Sequence, residues 1–284
     1  MRILVLGASG MLGNAMVRML SDGGHYEVFG TLRSEGGKRY FQQTTNLNLV
    51  SGVDAENFDL LASVIAHVRP KAVINCIGLV KQLAAADDPL VALPINSILP
   101  HRLARLCDLA EARLVHISTD CVFTGLKGLY TEDDKPDAVD LYGRSKLLGE
   151  VVYPHAITLR TSIIGHELGS CHGLVEWFLA QEGSVEGYKN AIFSGLPTCE
   201  LARVVRDVVL PRPDLSGLYH VAAQPISKYD LLQLVNRQYG KGLAIQPSDR
   251  VAIDRSLSGK RFDAETGYIA PSWKDLIAAM HAFK

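Results

Sequence analysis

No apolar run in this 284-residue chain approaches the ~18 residues that a membrane-spanning helix needs, which argues against a transmembrane protein. Cysteine is sparse. Cys76, Cys107, Cys121, Cys171 and Cys199 are odd in number, scattered and without a Cys-x-x-Cys pair, a pattern of reduced thiols rather than of a disulfide framework. Neither charge dominates: 29 Lys and Arg face 30 Asp and Glu, so there is no basic field to hold nucleic acid or an anionic membrane surface. The opening apolar stretch is short and leads into glycines rather than a cleavage site, so no secretory signal is expected. Internal repeats, low-complexity tracts and flexible linkers are lacking as well. What remains is a globular composition, 48% hydrophobic and 21% charged, and the expectation of a cytoplasmic protein built as one large domain with a smaller lobe.

Strand-like and helix-like segments alternate from the start. Ile3–Leu6, Tyr26–Thr31, Ala72–Cys76, Arg113–Ser118 and Ala156–Arg160 read as strands. Between them, helical spacing covers Met11–Leu20, a segment capped by Asp59 and ended by Pro70, and Ile95–Leu109, with a further helix starting near Tyr142. This order predicts an α/β fold: a Rossmann-type, doubly wound parallel sheet covered on both faces. After Gly165 the segments read as shorter and more irregular, although Thr198–Val209 is expected as a capped helix and Gly217–Val221 as a strand. The expected division is a dinucleotide-binding domain over 1–164, with 197–223 returning to it, and a substrate lobe formed by 165–196 and 224–284.

Gly7-Ala8-Ser9-Gly10-Met11-Leu12-Gly13 lies between the first strand and the first helix. Gly7 suits a tight turn, Gly10 a close approach of backbone to a pyrophosphate, and Gly13 tight helix–sheet packing, with helix amides facing the anion. A binder of the unphosphorylated dinucleotide usually carries an acid at the end of the second strand. Here the chain reads Thr31-Leu32-Arg33-Ser34, and Arg33, helped by Ser9 or Lys38, can pair with a 2′-phosphate, which favours NADPH over NADH. Alternatively Arg33 is a solvated loop charge.

Tyr142 and Lys146 stand four residues apart, on one face of a helix. A free phenol, with a pKa of about 10, is a reluctant acid near neutrality, and an adjacent cation draws it toward the working range. Ser118 and Thr119 end the fourth expected sheet strand, on the edge where open parallel sheets bind ligands. Adjacent strand residues point opposite ways, so one of the two faces the substrate.

The glycine loop, Asn75-Cys76-Ile77-Gly78, Ser118-Thr119-Asp120-Cys121-Val122-Phe123, Tyr142-x-x-x-Lys146 and Arg160-Thr161-Ser162 resemble, in this order, the extended short-chain dehydrogenases/reductases. The nearest branch is that of dTDP-4-dehydrorhamnose reductase, and the resemblance is strongest up to Ser162. It implies an NADPH-dependent reductase acting on the 4-keto group of a nucleotide-diphosphate-linked 4-keto-6-deoxy sugar, in activated deoxysugar and cell-surface polysaccharide synthesis. It makes Thr119 the catalytic hydroxyl, Tyr142 the proton donor and Lys146 the residue that tunes it and holds the nicotinamide ribose. Asp54 and Ala55 match the pair that meets the adenine, Cys76, Ile77 and Gly78 line the cofactor, and Asn96 either braces the site or makes a local cap or side-chain-to-backbone bond. Cys121, where an aromatic is frequent, and Ile163, where the rhamnose enzymes have tryptophan, leave the particular sugar open. Other enzymes and proteins of the same fold, an epimerase or dehydratase or a non-catalytic NADP-binding regulatory subunit, are the alternatives, and a homodimer is compatible with any of them.

A diphosphate substrate needs cations, for which Lys81, Arg255 and Arg261 are candidates, with solvated surface charge as the plain alternative. Trp177 and Phe178 can stack on the base or sugar, or pack in the lobe core. His166-Glu167 and Cys171-His172 lack the spacing of a zinc site, and no metal is expected.

Overall fold

The computed structural model describes residues 1–42, 47–79, 81, 84–169 and 171–284. In chain order its first half comprises β1 (Arg2–Leu6), α1 (Met11–Ser21), β2 (Glu27–Thr31), β3 (Asn48–Val50), α2 (Phe58–Val68), β4 (Ala72–Asn75), α3 (Pro89–Ala92), α4 (Leu99–Leu109), β5 (Arg113–Thr119) and α5 (Leu141–Leu148). There follow β6 (Ala156–Thr161), β7 (Ile163–Ile164), α6 (Leu174–Leu179), β8 (Ser184–Phe193), β9 (Leu196–Pro197), α7 (Thr198–Val204), β10 (Gly217–His220), β11 (Ile226–Ser227), α8 (Lys228–Gln238), β12 (Ala244–Asp254), α9 (Lys260–Thr266) and α10 (Trp273–Ala282).

The alternation produces a parallel seven-stranded sheet ordered β10-β6-β5-β4-β1-β2-β3. The order reverses at β1, which pairs in parallel with both β2 and β4. A sheet that reverses direction in this way leaves a crevice at the carboxyl ends of its strands, where α/β proteins hold ligands. β1 is fully buried from Ile3 to Leu6, as a central parallel strand covered on both faces must be. On one face Leu4, Leu6, Leu61, Ile65, Leu103, Cys107 and Leu114 form one continuous core.

Two helices depart from regular geometry. Between α3 and α4 the chain makes a π-helical turn over Leu93–Ile98, so that Leu99 N donates to Pro94 O, five residues back. Pro100 has no N–H to offer Asn96 O, the carbonyl four residues before it. A second π turn, Val205–Val209, follows α7. The uninterrupted helices expected over Ile95–Leu109 and Thr198–Val209 are corrected accordingly. The α2 cap is also corrected: Asn57 Oδ1 accepts Leu60 N at 3.0 Å, so Asn57 rather than Asp59 caps the helix. Arg69, in left-handed geometry at φ 50°, closes it one residue before Pro70.

The chain falls into two compact units: Met1–Ser118 with Val139–Leu159 and Ala202–Leu218, and Thr119–Ala138 with Arg160–Leu201 and Tyr219–Lys284. The second unit has the short elements its sequence suggested, β7, β9 and β11 having two residues each, but also two long strands that the sequence did not show. β8 and β12, 10 and 11 residues long, are the longest strands described and pair in parallel, with β11 antiparallel on the other side of β8. Their polar, solvent-facing positions, with Gly187 and Pro247 inside the run, mask the alternation by which half-buried strands are recognised.

Candidate active site

Gly7 turns the chain out of β1 at φ 79°, a left-handed conformation that favours glycine. Its N–H donates to Thr31 Oγ1 at 3.1 Å, and Ala8 N to Thr31 O at 2.9 Å, which fasten the loop to the end of β2. A Cβ on Gly13 would lie 2.1 Å from Gly7 O, so only glycine lets α1 start this close to the sheet. No side chain caps α1 at Gly10. Its first intrahelical bond runs from Asn14 N to Gly10 O, so the amides of Met11, Leu12 and Gly13 precede the first intrahelical donor. Three helix-start amides behind a tight glycine turn fit a pyrophosphate. Ser9 lies beside them, partly exposed.

Arg33 is exposed just beyond β2. Leu32 N donates to Val50 O and Val53 N to Leu32 O, at 2.9 and 3.0 Å, which lays the segment leading to Asp54 and Ala55 beside it. Asp54 Oδ1 closes a turn by accepting Glu56 N at 3.1 Å. Lys38 pairs with Glu35 at 2.6 Å. The glycine loop, Arg33 and the Asp54–Ala55 pair therefore belong to one edge of the first unit.

At the end of β4, Cys76 N donates to Leu6 O at 3.2 Å and Ile77 N to Asn75 Oδ1 at 3.1 Å. A Cβ on Gly78 would stand 3.6 Å from Lys146 Nζ and 3.5 Å from Asn96 Oδ1, so this stretch runs directly past the ammonium. Asn96 Oδ1 accepts Leu79 N at 2.9 Å, and Asn96 Nδ2 donates to Ser145 Oγ at 3.1 Å. Burial pushes the Cys76 thiol up to about 12, which keeps it protonated and unreactive.

α5 begins at a cap, Asp140 Oδ1 accepting Gly143 N at 2.7 Å. Tyr142 in its first turn is partly exposed; Lys146, one turn on, is buried. Lys146 Nζ donates to Ile117 O of β5 at 2.8 Å. Burial draws its pKa down to about 8, against the opposing pull of Glu150 and Cys76. Ser145, wholly buried between the two, donates to Tyr142 O at 2.9 Å, and its own carbonyl accepts Ser97 Oγ at 2.8 Å.

The two hydroxyls ending β5 have different partners. Ser118 Oγ donates to Glu150 Oε1 at 2.7 Å. Thr119 Oγ1 donates to Asp120 Oδ1 at 3.2 Å and accepts Cys121 N at 3.1 Å. Strand alternation puts Thr119 on the face opposite Ser118. Burial raises the Asp120 carboxyl above its usual range, although the Arg255 charge and the Thr119, Cys121 and Ser162 side chains pull it down.

Each cation expected to hold a diphosphate has a partner. Lys81 Nζ pairs with Asp140 Oδ2 at 2.7 Å, Arg255 Nε donates to Phe123 O at 2.7 Å, and Arg261 Nη2 meets Asp133 Oδ1 at 2.6 Å. Trp177 is 37% exposed on α6, whereas Phe178 is fully buried; of that pair only Phe178 is core. Cys121 is half-buried in the second unit. His166 bridges Glu176 Oε1 at 2.6 Å and Tyr239 Oη at 2.8 Å, and Glu167 accepts Gly173 N at 2.6 Å, so both are engaged in fixing the start of α6. The sequence reading passed over Ser145, Glu150 and His116. The place of Ser145 between Tyr142 and Lys146 was the available signal for the first; the others are tied in by contacts distant in sequence.

A parallel sheet reversing at β1, a glycine turn with free helix-start amides, and a tyrosine–lysine pair one helical turn apart define the Rossmann-type fold of the extended short-chain dehydrogenases/reductases. The model of the RmlD substrate binding domain family matches residues 1–281, and the chain belongs to that family. It is 29% identical to the probable low-salt glycan biosynthesis reductase Agl14 of Haloferax volcanii, over 99% of this chain and 98% of that protein. It is 28% identical to the dTDP-4-dehydrorhamnose reductase of Aggregatibacter actinomycetemcomitans, over 99% of this chain and 93% of the relative. Among solved structures, the dTDP-4-dehydrorhamnose reductase of Bacillus anthracis in complex with NADP superimposes with a TM-score of 0.81 at 20% identity, covering 100% of this chain and 99% of that one, a likeness of fold.

Proposed function

We propose that this protein is an NADPH-dependent reductase of the 4-keto group of a nucleotide-diphosphate-linked 4-keto-6-deoxy sugar. The observation that carries the reading is the buried Lys146 ammonium, hooked to Ile117 O and one helical turn beyond Tyr142. The family and the reductases named among its relatives support it.

Gly7, Ser9, Gly10 and the amides of Met11, Leu12 and Gly13 would hold the pyrophosphate, Arg33 the 2′-phosphate, and Asp54 and Ala55 the adenine. Cys76, Ile77, Gly78, Tyr142 and Lys146 would border the nicotinamide end. What the cofactor contributes when bound is the two-electron reduction of the ketone carbon. Tyr142 gives its phenolic proton to the ketone oxygen, and Lys146, by stabilising the resulting phenolate, makes that transfer accessible near neutral pH. Thr119 turns its hydroxyl from Asp120 to the same oxygen and stabilises the charge developing there. Lys81, Arg255 and Arg261 face the diphosphate in this reading, with Cys121 and Trp177 beside the sugar or base. Lys81 and Arg261 are almost half exposed, and pairs of that kind are worth roughly 0–1 kcal/mol, so exchanging their carboxylates for a diphosphate costs little. The reading gives residues 1–164 and 197–223 to the cofactor and 165–196 and 224–284 to the sugar, in a cytoplasmic homodimer.

The test is NADPH oxidation with dTDP- and UDP-linked 4-keto sugars, product configuration being read by NMR. Tyr142→Phe should lower turnover by at least ~100-fold while NADPH still binds. Unchanged turnover would remove the proton-transfer assignment. Co-purified NAD with no net use of NADPH would instead mark an epimerase or dehydratase, and tight NADPH binding without oxidation a regulatory subunit.

A further inference from the structure

His116 lies within β5 opposite Asn75 of β4, and both side chains are 0% exposed. Burial, with the Lys146 charge nearby, holds the imidazole well below its usual pKa, so the ring is neutral and has one donor and one acceptor nitrogen. Asn75 Nδ2 can only donate. Its 3.1 Å contact with His116 Nδ1 makes that nitrogen the acceptor and places the ring proton on Nε2. The same setting of the carboxamide turns Asn75 Oδ1 toward Ile77 N, 3.1 Å away. Rotated by half a turn, the amide would present donor to donor at Ile77.

The consequences reach the glycine loop. A Cβ on Gly7 would lie 2.9 Å from Ile77 Cγ1, so the Ile77 side chain rests against the first glycine of the pyrophosphate turn. His116 Nε2 is itself buried without a protein partner among the described residues. Leu114, on the same face of β5, shows that an apolar side chain packs there without that penalty. The histidine is therefore explained by what Nδ1 does rather than by what the ring adds to the core.

We propose that His116 is a positioning residue for the nucleotide loop, acting through the Asn75 carboxamide on Ile77 and, through Ile77, on Gly7. Its effect on NADPH rests on the function proposed above; its effect on Ile77 does not. The test compares His116→Leu, His116→Asn and Asn75→Ala, each checked for a folded far-UV spectrum. Amide exchange at Ile77 in the protein without cofactor should speed up about tenfold in His116→Leu and in Asn75→Ala, with no further gain in the double variant. His116→Asn, which keeps an acceptor near the Nδ1 position, should restore protection, and exchange at Leu4 should not change. The Kd for NADPH should rise about tenfold in His116→Leu, with kcat at saturating NADPH within about threefold of the parent. Unaltered Ile77 exchange in the variants, or multiplicative effects in the double variant, would overturn the proposal. Should His116→Leu not fold, Asn75→Ala and His116→Asn decide it in the same terms. Failure of the parent protein to bind NADPH would refute the function and leave the exchange result to stand on its own.

Discussion

At the residue scale the decisive group is Lys146. Its pKa of about 8, against 10.5 for a free lysine, makes its charge conditional within the range where enzymes are assayed. The sign can be worked out for two observables. Between about 8 and 10.5 the unfolded chain holds the proton that the folded chain has lost, so this group's contribution to stability rises with pH across that window. In the proposed mechanism activity moves the other way, since only the ammonium would stabilise a Tyr142 phenolate. We expect kcat/KM to fall on an alkaline limb with a midpoint near 8, and this limb to be replaced by a flat, low profile in Lys146→Met. A midpoint near 10 would mean that the ammonium is solvated when substrate arrives. Ser118 and Thr119 make a second point at this scale. Strand alternation alone leaves either hydroxyl open and the family resemblance points to Thr119; in the structure Ser118 donates to Glu150 at 2.7 Å and Thr119 to Asp120 at 3.2 Å.

At the scale of elements, α5 and the π turn before α4 are locked together by one absent side chain. A Cβ on Gly149, just past α5, would sit 1.9 Å from Asn96 O, the carbonyl that Pro100 leaves without its helical donor. The obstacle is backbone, which cannot rotate away as a side chain would. Gly149→Ala should destabilise the protein by at least about 2 kcal/mol in urea unfolding. A loss under about 0.5 kcal/mol would show that the two elements slide freely. This contact also shows where sequence reading reaches its limit. The glycine loop, β1, and the Tyr142–Lys146 spacing were legible because each depends on neighbours in sequence. The π turns were not, because the run over Ile95–Leu109 keeps helical spacing whichever carbonyl each amide chooses. Asn57 and Asp59 are both competent caps two residues apart, and only the path of the entering chain selects Asn57. Lys81, Arg255 and Arg261 looked free because their partners lie 59, 132 and 128 residues away.

At the scale of the whole molecule, a ligand held only by the folded chain adds to its stability by mass action, about 2.7 kcal/mol at a concentration of 100 Kd. NADPH should therefore raise the melting temperature by several degrees, and NADH at equal concentration by less. If Arg33 grips the 2′-phosphate, Arg33→Ala should shrink the difference between the two while leaving the NADH shift alone; equal shifts in the parent would remove that role. The distribution of thiols has a practical corollary. Cys107 and Cys199 are buried and Cys76 is held protonated, while Cys171 alone of the five is exposed. A maleimide dye at neutral pH should thus settle first on Cys171, just ahead of α6. That gives an optical reporter on the helix bearing Trp177, obtained without engineering and leaving the glycine turn untouched.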